Sequence, residues 1–388
     1  MRRIDDRERR ARLARRHRLH PDHRAARIDD AVRSMTALHA TEPPTPYLSL
    51  FARMDDVRQA DVDAALYEER RLVKQLGMRR TLFVVTLDLL PALWGSAARR
   101  VADAEWRRLS RAVMASGVAA DGDGWLAEVR CAALEALADG PLSTSQLRDR
   151  VPALAGRITL SASSRWGGPV SVAPLVVTLL GARGDIVRGR NDGEWRVSRP
   201  TWQLAASWLP RPLTPGDARE SYAELVRSWL RTFGPGTLRD IVWWLGSTVG
   251  DVRRALADIG AVEVGLESGT GWVLPDDLEP VDDVEPWAAL LPILDPTVMG
   301  WKERDFYLGP HADRLFDTAG NAGTTAWWDG RVVGAWVQDE DGAVELRLIE
   351  DVGADGVAAF EREAERLTRW LDGQRVFSVY TSPQMKDR

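Results

Sequence analysis

The sequence predicts a helix-rich α+β protein that consists of three tandem winged helix-turn-helix units and a small, β-rich α+β cap at the C-terminus. Three observations lead to this prediction: a helix–helix–helix–hairpin order occurs three times, helix caps and glycine turns separate the helices, and the 388 residues have a globular composition. A chain of this length can hold several compact cores. We expect the N-terminal helices and first unit at 1–120, the second unit at 121–212, the third at 213–285 and the cap at 286–388.

The third unit has the clearest pattern. Apolar residues recur at helical spacing over 220–232, a Gly-Pro-Gly break follows, and Thr237 can cap a short helix that runs to Trp244. A further helix is predicted at 249–259, and the alternating segments 261–265 and 271–274 flank a glycine-rich turn. Two helices joined by a tight turn and followed by a β-wing form the DNA-reading unit of helix-turn-helix proteins.

The other two units follow the same order. In the second, we expect helices at 125–138, 145–151 and 172–181, with Ser143 or Thr144 as a cap, and a wing at 185–197 that turns at the Asn-Asp-Gly sequence 191–193. In the first, Asp29 or Asp30 caps a helix that ends near residue 38, helices follow at 46–54 and 60–67, and β-rich segments lie at 72–76 and 81–87. The cap is expected to hold a hairpin at 327–336, a strand at 344–349, a helix at 356–371 and a last strand at 376–380.

Charge is distributed unevenly around a net value of −5. Eleven arginines and four acidic residues precede Ile28, whereas seven acidic residues and no basic one lie between 276 and 295. This separation is compatible with local phosphate contacts on an acidic protein, and equally with a solvated helix face at the N-terminus.

Missing sequence features exclude several classes of protein. Cys131 is the single cysteine, which excludes an internal disulfide framework and a cysteine-based zinc site. No run of 18 apolar residues occurs and the arginine-rich start has no apolar signal segment, so we expect a cytoplasmic protein without a membrane span. A phosphate-binding glycine loop, a dinucleotide fingerprint and a His-Glu-x-x-His sequence are all missing, so we expect neither a cofactor nor a metal.

Six short strings of sequence occur in an order that is specific in combination. They are LHATEP at 38–43, LSLFAR at 48–53, MRRTLFV at 78–84, IVRGR at 186–190, LPILD at 291–295 and GRVVGAW at 330–336. Together they resemble the bacterial winged-helix alkylpurine DNA glycosylases, the AlkZ/YcaQ-like family, over nearly the whole chain. The resemblance implies a C-shaped array of the three units with duplex DNA in its concave face, and cleavage of the bond between deoxyribose and an alkylated purine.

The family signature places two polar residues, Gln and Gln or Gln and Asp, around an apolar residue and before an acid and a proline. The corresponding sequence here is His39-Ala40-Thr41-Glu42-Pro43, a variant that differs at both polar positions. We expect His39 to accept a proton from the attacking water, since its reference pKa is about 6.5, and Thr41 to hold that water from the same side of an extended segment. Glu42, kept out of a helix by the prolines after it, is expected to orient His39 or to offset positive charge on the sugar. The alternative is a partly buried histidine that caps the helix ending nearby.

Basic hairpins supply the candidate DNA contacts. Arg79 and Arg80 lie at the first predicted hairpin, and Arg188 and Arg190 lie on the second wing. An arginine on a hairpin can bind phosphate or enter the minor groove, although an ordinary solvated hairpin is equally compatible. Trp195 is a further candidate.

Other polar and aromatic residues are expected to be structural. Asp295 and Arg304 are predicted to form an ion pair, and most of the 17 tryptophans are predicted to pack in cores. Trp166 and Trp202 are weaker candidates for DNA contacts. The four remaining histidines are predicted to lie at the surface: His17, His20, His23 and His311.

The sequence therefore predicts a monofunctional DNA glycosylase that hydrolyses the N-glycosidic bond of N7-alkylated or bulky-adduct purines in duplex DNA, for repair or self-resistance. It is expected to act as a monomer on double-stranded DNA, in the cytoplasm and associated with the nucleoid. Two alternatives stay open: a winged-helix transcription regulator without catalysis, and a winged-helix protein-interaction scaffold, which the negative net charge favours. Salt-sensitive DNA binding distinguishes the scaffold from the other two.

Overall fold

The computed structural model describes residues 1–160 and 168–386, and its first helix lies in the N-terminal segment. Helix α1 (Asp6–Arg16) starts at Asp5, whose carboxylate accepts from the backbone N–H of Glu8 and caps the helix. Trp166, a candidate DNA contact, lies outside the described residues.

The first unit forms a three-stranded antiparallel sheet packed on short helices. Its elements in chain order are α2 (Ile28–Ser34), β1 (Leu38–His39), α3 (Thr45–Arg53), α4 (Gln59–Asp63), β2 (Leu72–Leu76) and β3 (Leu82–Thr86). The strand order is β1-β3-β2, with β3 central. β-branched and aromatic residues dominate β3, and all five of its residues are buried. The hairpin between β2 and β3 turns through Arg79 and Arg80, both in the left-handed region with φ of 53° and 61°.

The second unit follows two connecting helices and repeats the same order. The connecting helices are α5 (Leu90–Gly95) and α6 (Ala97–Ala115). The elements of the unit are α7 (Gly122–Ala136), β4 (Leu142–Ser143), α8 (Thr144–Arg150), β5 (Arg157–Ile158), β6 (Val170–Ser171), α9 (Val172–Arg183), β7 (Ile186–Asn191) and β8 (Pro200–Leu204). The main sheet has the order β4-β8-β7, and β5 and β6 form a small separate pair.

The wing of this second unit differs from the prediction. We expected a tight turn at 191–193 and a return strand that ends at 197. The return strand is β8, and Asn191 pairs with Pro200, so residues 192–199 form a longer loop. The Asn-Asp-Gly sequence lies where β7 ends, but β8, the strand that pairs with β7, begins only at Pro200.

The third unit completes the repetition. It comprises α10 (Ala205–Trp208), which leads into it, followed by α11 (Ala218–Phe233), α12 (Leu238–Leu245), α13 (Val249–Asp258), β9 (Val262–Leu266) and β10 (Gly269–Val273). Thr237 and Asp240 form a capping box at the start of α12, as the position of Thr237 predicts. Gly236 pairs with Trp272 and stands in the place that β1 and β4 occupy in the other units. All three repeats thus share the order helix, strand or bridge, helix, helix, strand, strand, with the β5–β6 pair inserted between the last two helices of the second unit. We interpret each as a winged helix-turn-helix unit.

The C-terminal cap is built on a four-stranded antiparallel sheet in the order β11-β12-β13-β14. Its elements are β11 (Ala288–Leu291), α14 (Pro296–Met299), α15 (Asp305–Leu308), α16 (Ala312–Leu315), β12 (Thr325–Trp328), β13 (Arg331–Gln338), β14 (Val344–Leu348), α17 (Gly353–Leu371) and α18 (Pro383–Lys386). The predicted strand at 376–380 is wrong: this segment is irregular, and the N–H of Val376 donates to the side chain of Gln338 instead of to a strand.

Two main apolar cores hold the chain together, and they do not follow the predicted divisions. The first contains residues of all four predicted parts, for example Leu13, Val84, Val187, Trp229 and Trp327. The second contains most of the buried apolar residues of the second unit together with those of α6, beginning at Ala102. Within the described residues, no helix is both long and apolar enough to cross a bilayer.

The basic N-terminus packs on the acidic segment between 276 and 283. Arg12 donates to the carboxylate of Asp277 at 2.7 Å and to the backbone carbonyl of Glu279 at 2.7 Å, while Arg16 also pairs with Asp277. Arg12 is 1% exposed. The two charge runs therefore neutralise each other inside the molecule, and Arg12 and Arg16 offer no free charge to DNA.

Candidate active site

His39 ends β1, at the edge of the first sheet. Its backbone pairs with Phe83 of β3, and Phe83 pairs in turn with Gln75 of β2, so these three side chains share one face of the sheet. The imidazole lies 4.7 Å from the ring of Phe83. Pairing continues for one further residue, because the N–H of Ala40 donates to Leu82, and the chain then bends at Thr41 and Glu42.

The imidazole of His39 is buried and has unused hydrogen-bonding capacity. It is 4% exposed, and neither ring nitrogen has a hydrogen-bond partner among the described residues. Burial and the nearby charge of Arg79 lower the pKa of His39 to about 3. The expectation of a base with a pKa near 6.5 is therefore wrong: the ring stays neutral at physiological pH and is a weak proton acceptor.

His17 is a close internal comparison. It was expected at the surface, yet it is fully buried, and burial likewise lowers its pKa to about 3. Its two nitrogens are satisfied, by the hydroxyl of Thr297 at 2.9 Å and the carbonyl of Thr232 at 3.2 Å. The buried imidazole of His17 is thus hydrogen-bonded on both sides, and that of His39 is not. His20 is also buried, contrary to expectation.

Thr41 and Glu42 are both partly exposed, and Glu42 does not orient His39. Burial raises the pKa of Glu42, and a hydrogen bond with Ser378 partly offsets this effect. Glu42 and Ser378 line a cavity of about 340 Å³ between α3, the cap sheet and the irregular C-terminal segment. Since His39 has no hydrogen-bond partner, the expected contact between Glu42 and its ring is absent from the described residues.

Asp295 forms a buried ion pair, but with a different partner from the one expected. Its carboxylate accepts from the guanidinium of Arg53 at 2.7 and 2.9 Å and from the hydroxyl of Ser49 at 2.7 Å. Both side chains of the ion pair are 0% exposed. The pair joins α3 to the start of α14, and Arg304 is left without this partner.

Among the predicted DNA contacts, Arg79 is the one whose charge affects the pKa of His39. It is half-buried on the hairpin between β2 and β3, with its guanidinium carbon 4.0 Å from the ring centroid of Trp243. No carboxylate of the described chain pairs with it, and its Nε atom is buried without a hydrogen-bond partner. Burial and the charge of Arg304 lower the pKa of Arg79 to about 10, which leaves it protonated at neutral pH.

The other arginines predicted to contact DNA already have partners within the protein. Arg190 is paired with Asp63 at 3.0 Å and Glu68 at 3.2 Å, and Arg80 is paired with Glu105 at 3.3 Å. Arg188 has only a long hydrogen bond to a serine hydroxyl, and burial lowers its pKa.

Two tryptophans expected as possible DNA contacts pack against other parts of the protein, Trp195 half-buried and Trp202 buried. Trp195 lies 5.1 Å from the ring of Tyr47 and 5.8 Å from that of Trp370, and its indole N–H donates to Gln374 at 2.7 Å. Trp202 is 7% exposed within the second core. Trp195 thus supports the C-terminal segment instead of facing solvent freely.

Comparison with known proteins establishes the family. A family model described as DNA glycosylase AlkZ-like matches residues 32–370. This chain belongs to the AlkZ-like DNA glycosylase family. Streptomyces sahachiroi DNA glycosylase AlkZ has a similar fold, with a TM-score of 0.74 at 20% identity, over 96% of this chain and 98% of that chain. No curated protein matched.

Family membership confirms the resemblance that the six strings indicated, and the likeness to AlkZ confirms the helix-rich α+β fold class. Neither Arg53 nor Trp243 could be identified from the sequence, nor could the fact that Arg304 has no ion-pair partner among the described residues. Arg53 stood within one of the six strings, but nothing local shows that its partner lies more than 240 residues away. Among the described residues, no group of three or more His, Cys, Asp or Glu side chains is placed to hold a metal ion.

Proposed function

We propose that this AlkZ-like protein is a monofunctional DNA glycosylase for N7-alkylated or bulky-adduct purines in duplex DNA, in repair or self-resistance. In the reaction, the oxygen of a water molecule bonds to C1′ of deoxyribose while the bond from C1′ to N9 breaks. N9 keeps the electron pair, and the cationic N7-alkylated ring leaves as a neutral base. The protein acts as a monomer on the nucleoid and has to place the water and stabilise an oxocarbenium-like sugar.

In this proposal His39 positions the water as a neutral hydrogen-bonding group. A neutral imidazole has one donor nitrogen and one acceptor nitrogen, and both are unused in His39. Leaving such buried groups unsatisfied costs about 1–3 kcal/mol each, and a water that enters beside the ring on DNA binding removes that cost. With a pKa of about 3, the ring is a poor destination for the water proton, which passes to solvent.

Thr41 and Glu42 complete the proposed site. The hydroxyl of Thr41 follows His39 at the spacing of the second polar position in the family signature, and we assign it to the same water. Glu42 is the nearest carboxyl group in sequence and is assigned, as its carboxylate, to offset charge on the sugar. Arg79 is the proposed DNA contact beside His39.

The unsatisfied imidazole of His39 is the observation that carries the proposal. The test is release of free base from duplexes that contain N7-methylguanine or a bulky N7 adduct, with abasic sites quantified after subtraction of spontaneous loss. We expect His39→Ala to lower the single-turnover rate at least about 100-fold, and His39→Gln to retain part of it. His17→Ala is the matched control, because it removes an equally buried imidazole that is already hydrogen-bonded.

Two results would contradict the proposal. One is no base release from any adduct by the unmodified protein. The other is equal rates in His39→Ala and the unmodified protein. Borohydride trapping tests the monofunctional assignment: no covalent protein–DNA product is expected, since Lys74, the buried lysine, donates to the hydroxyl of Tyr67 at 2.6 Å.

A DNA-binding protein without catalysis is the second candidate. The observation that favours it is the burial of His39, whose ring nitrogens have almost no solvent contact in the unbound protein. This second candidate function predicts tight, salt-sensitive binding to duplex DNA without release of a base.

A further inference from the structure

Two arginines from distant parts of the chain converge on one indole ring. The guanidinium carbon of Arg79, on the hairpin of the first unit, lies 4.0 Å from the ring centroid of Trp243 in α12. That of Arg304, just before α15, lies 5.2 Å from the same centroid and 4.5 Å from the ring of Phe316. Stacking on aromatic rings restricts both side chains before any ligand arrives.

The charge of these two arginines is not compensated. No described carboxylate lies within ion-pair distance of either, and the hydrogen bond that Arg304 makes from Nε goes to the carbonyl of Trp301 at 2.8 Å. The charge of a neighbouring arginine is compensated, by contrast: Arg239, on the same helix as Trp243, forms an ion pair with Glu303 at 3.5 Å.

Two like charges held close together at a half-buried position repel each other. The charge of Arg304 contributes to the lowered pKa of Arg79, and Arg79 in turn lowers the pKa of His39. An anion bound between the two guanidinium groups would reverse this repulsion. Planar guanidinium groups suit the tetrahedral oxygens of a phosphate, which they can bind through paired N–H donors.

We propose that Arg79 and Arg304, supported by Trp243, bind one backbone phosphate of duplex DNA next to His39. The ligand is a DNA phosphate because the chain belongs to a DNA glycosylase family and because the site adjoins the candidate active site. This inference rests on the DNA-binding part of the proposed function and not on catalysis. It adds Arg304 and Trp243 to the DNA contacts and joins the first unit, the third unit and the start of the cap around one phosphate.

The experiment measures affinity for an undamaged duplex across a salt series from about 50 to 200 mM, by fluorescence anisotropy. Arg79→Gln and Arg304→Gln remove a charge each and keep most of the side chain. We expect each to weaken binding about tenfold at the low-salt end and to lower the slope of log affinity against log salt by about 0.9. Arg239→Gln is the control, and we expect an unchanged slope because that arginine is paired.

The double variant Arg79→Gln/Arg304→Gln tests whether one phosphate is shared. We expect its slope to fall by about the same 0.9, since the same phosphate contact is lost. A slope that stays unchanged in both single variants overturns the proposal, as does a double variant that loses two phosphate contacts. Circular dichroism and melting temperature establish that each variant is folded.

Inorganic phosphate separates the DNA backbone from a free ion. At constant ionic strength, replacing chloride by phosphate is expected to leave duplex affinity nearly unchanged, because one free phosphate competes poorly with a polyanion. Inhibition of duplex binding by phosphate that depends on both arginines would assign the site to free phosphate and overturn the DNA assignment. Because the duplex is undamaged, absence of base excision has no bearing on the outcome.

Discussion

His39 and His17 show how two histidines with the same burial can have different roles. Both are buried and burial lowers both pKa values to about 3, but the nitrogens of His17 are hydrogen-bonded and those of His39 are not. A low pKa therefore does not distinguish a candidate site in this protein. What distinguishes His39 from His17 is its unused hydrogen-bonding capacity, since buried polar groups of folded proteins usually have partners.

Which side chains meet at the site depends on long-range packing. The motif around His39 could be located from the sequence, since its residues are contiguous. The partners of Asp295 and Arg304 could not, because Arg53 and Trp243 come from other units and no local signal relates them.

The buried ion pair between Arg53 and Asp295 gives a stability prediction at this scale. Arg53→Met leaves the carboxylate of Asp295 buried and unpaired, so we expect a loss of about 3–5 kcal/mol in the free energy of unfolding. Urea denaturation followed by tryptophan fluorescence measures it. Arg253→Met is the control, because Arg253 is exposed and lies outside the buried ion pair, and it should change stability by less than about 0.5 kcal/mol. A loss below about 1 kcal/mol in Arg53→Met would show that the pair does not hold α3 to α14.

At the scale of elements, local sequence patterns predicted the repeated order well. Helical spacing, the cap at Thr237 and alternating strands recovered all three repeats, because caps and periodicity act within a few residues. The errors concern pairing. Asn-Asp-Gly at 191–193 ended a strand, but the position of β8 depends on which later segment pairs with β7. Residues 376–380 are rich in β-branched and aromatic residues, yet the hydrogen bond of Val376 goes to a side chain.

Helix α12 ends at a glycine that controls the position of Arg79. Gly246 has φ of +61°, and a Cβ atom there would lie 2.9 Å from Cγ of Arg79. We expect Gly246→Ala to cost about 1–2 kcal/mol in stability from the left-handed backbone and also to weaken duplex binding by displacing Arg79. Gly117→Ala is the control, because Gly117 has φ of +68° and open space around it. It should cost similar stability without affecting DNA binding. Equal DNA binding by the two variants would contradict a role for Arg79.

The whole molecule shows why charge distribution along a sequence is an incomplete guide to partners. The arginine-rich N-terminus was a candidate for phosphate contacts or for a solvated helix face, and it pairs instead with the acidic segment at 276–283 through Arg12, Arg16 and Asp277. Arg79 and Arg304 carry positive charge that no described carboxylate pairs with, and both are single arginines that no charge run marks. Domain divisions drawn along the chain do not describe the packing for a related reason, since the larger core contains residues of all four predicted parts.

The central claim is that a neutral imidazole at His39 positions the water that attacks an alkylated nucleotide. The most direct measurement is the single-turnover rate of base release from duplex N7-methylguanine between about pH 5 and 8, after subtraction of spontaneous loss. A pKa of about 3 keeps His39 neutral throughout, so we predict a rate that His39 titration does not change, and a rate at least about 100-fold lower at every pH in His39→Ala. A sigmoidal fall below about pH 6.5 that disappears in His39→Gln would contradict the neutral imidazole.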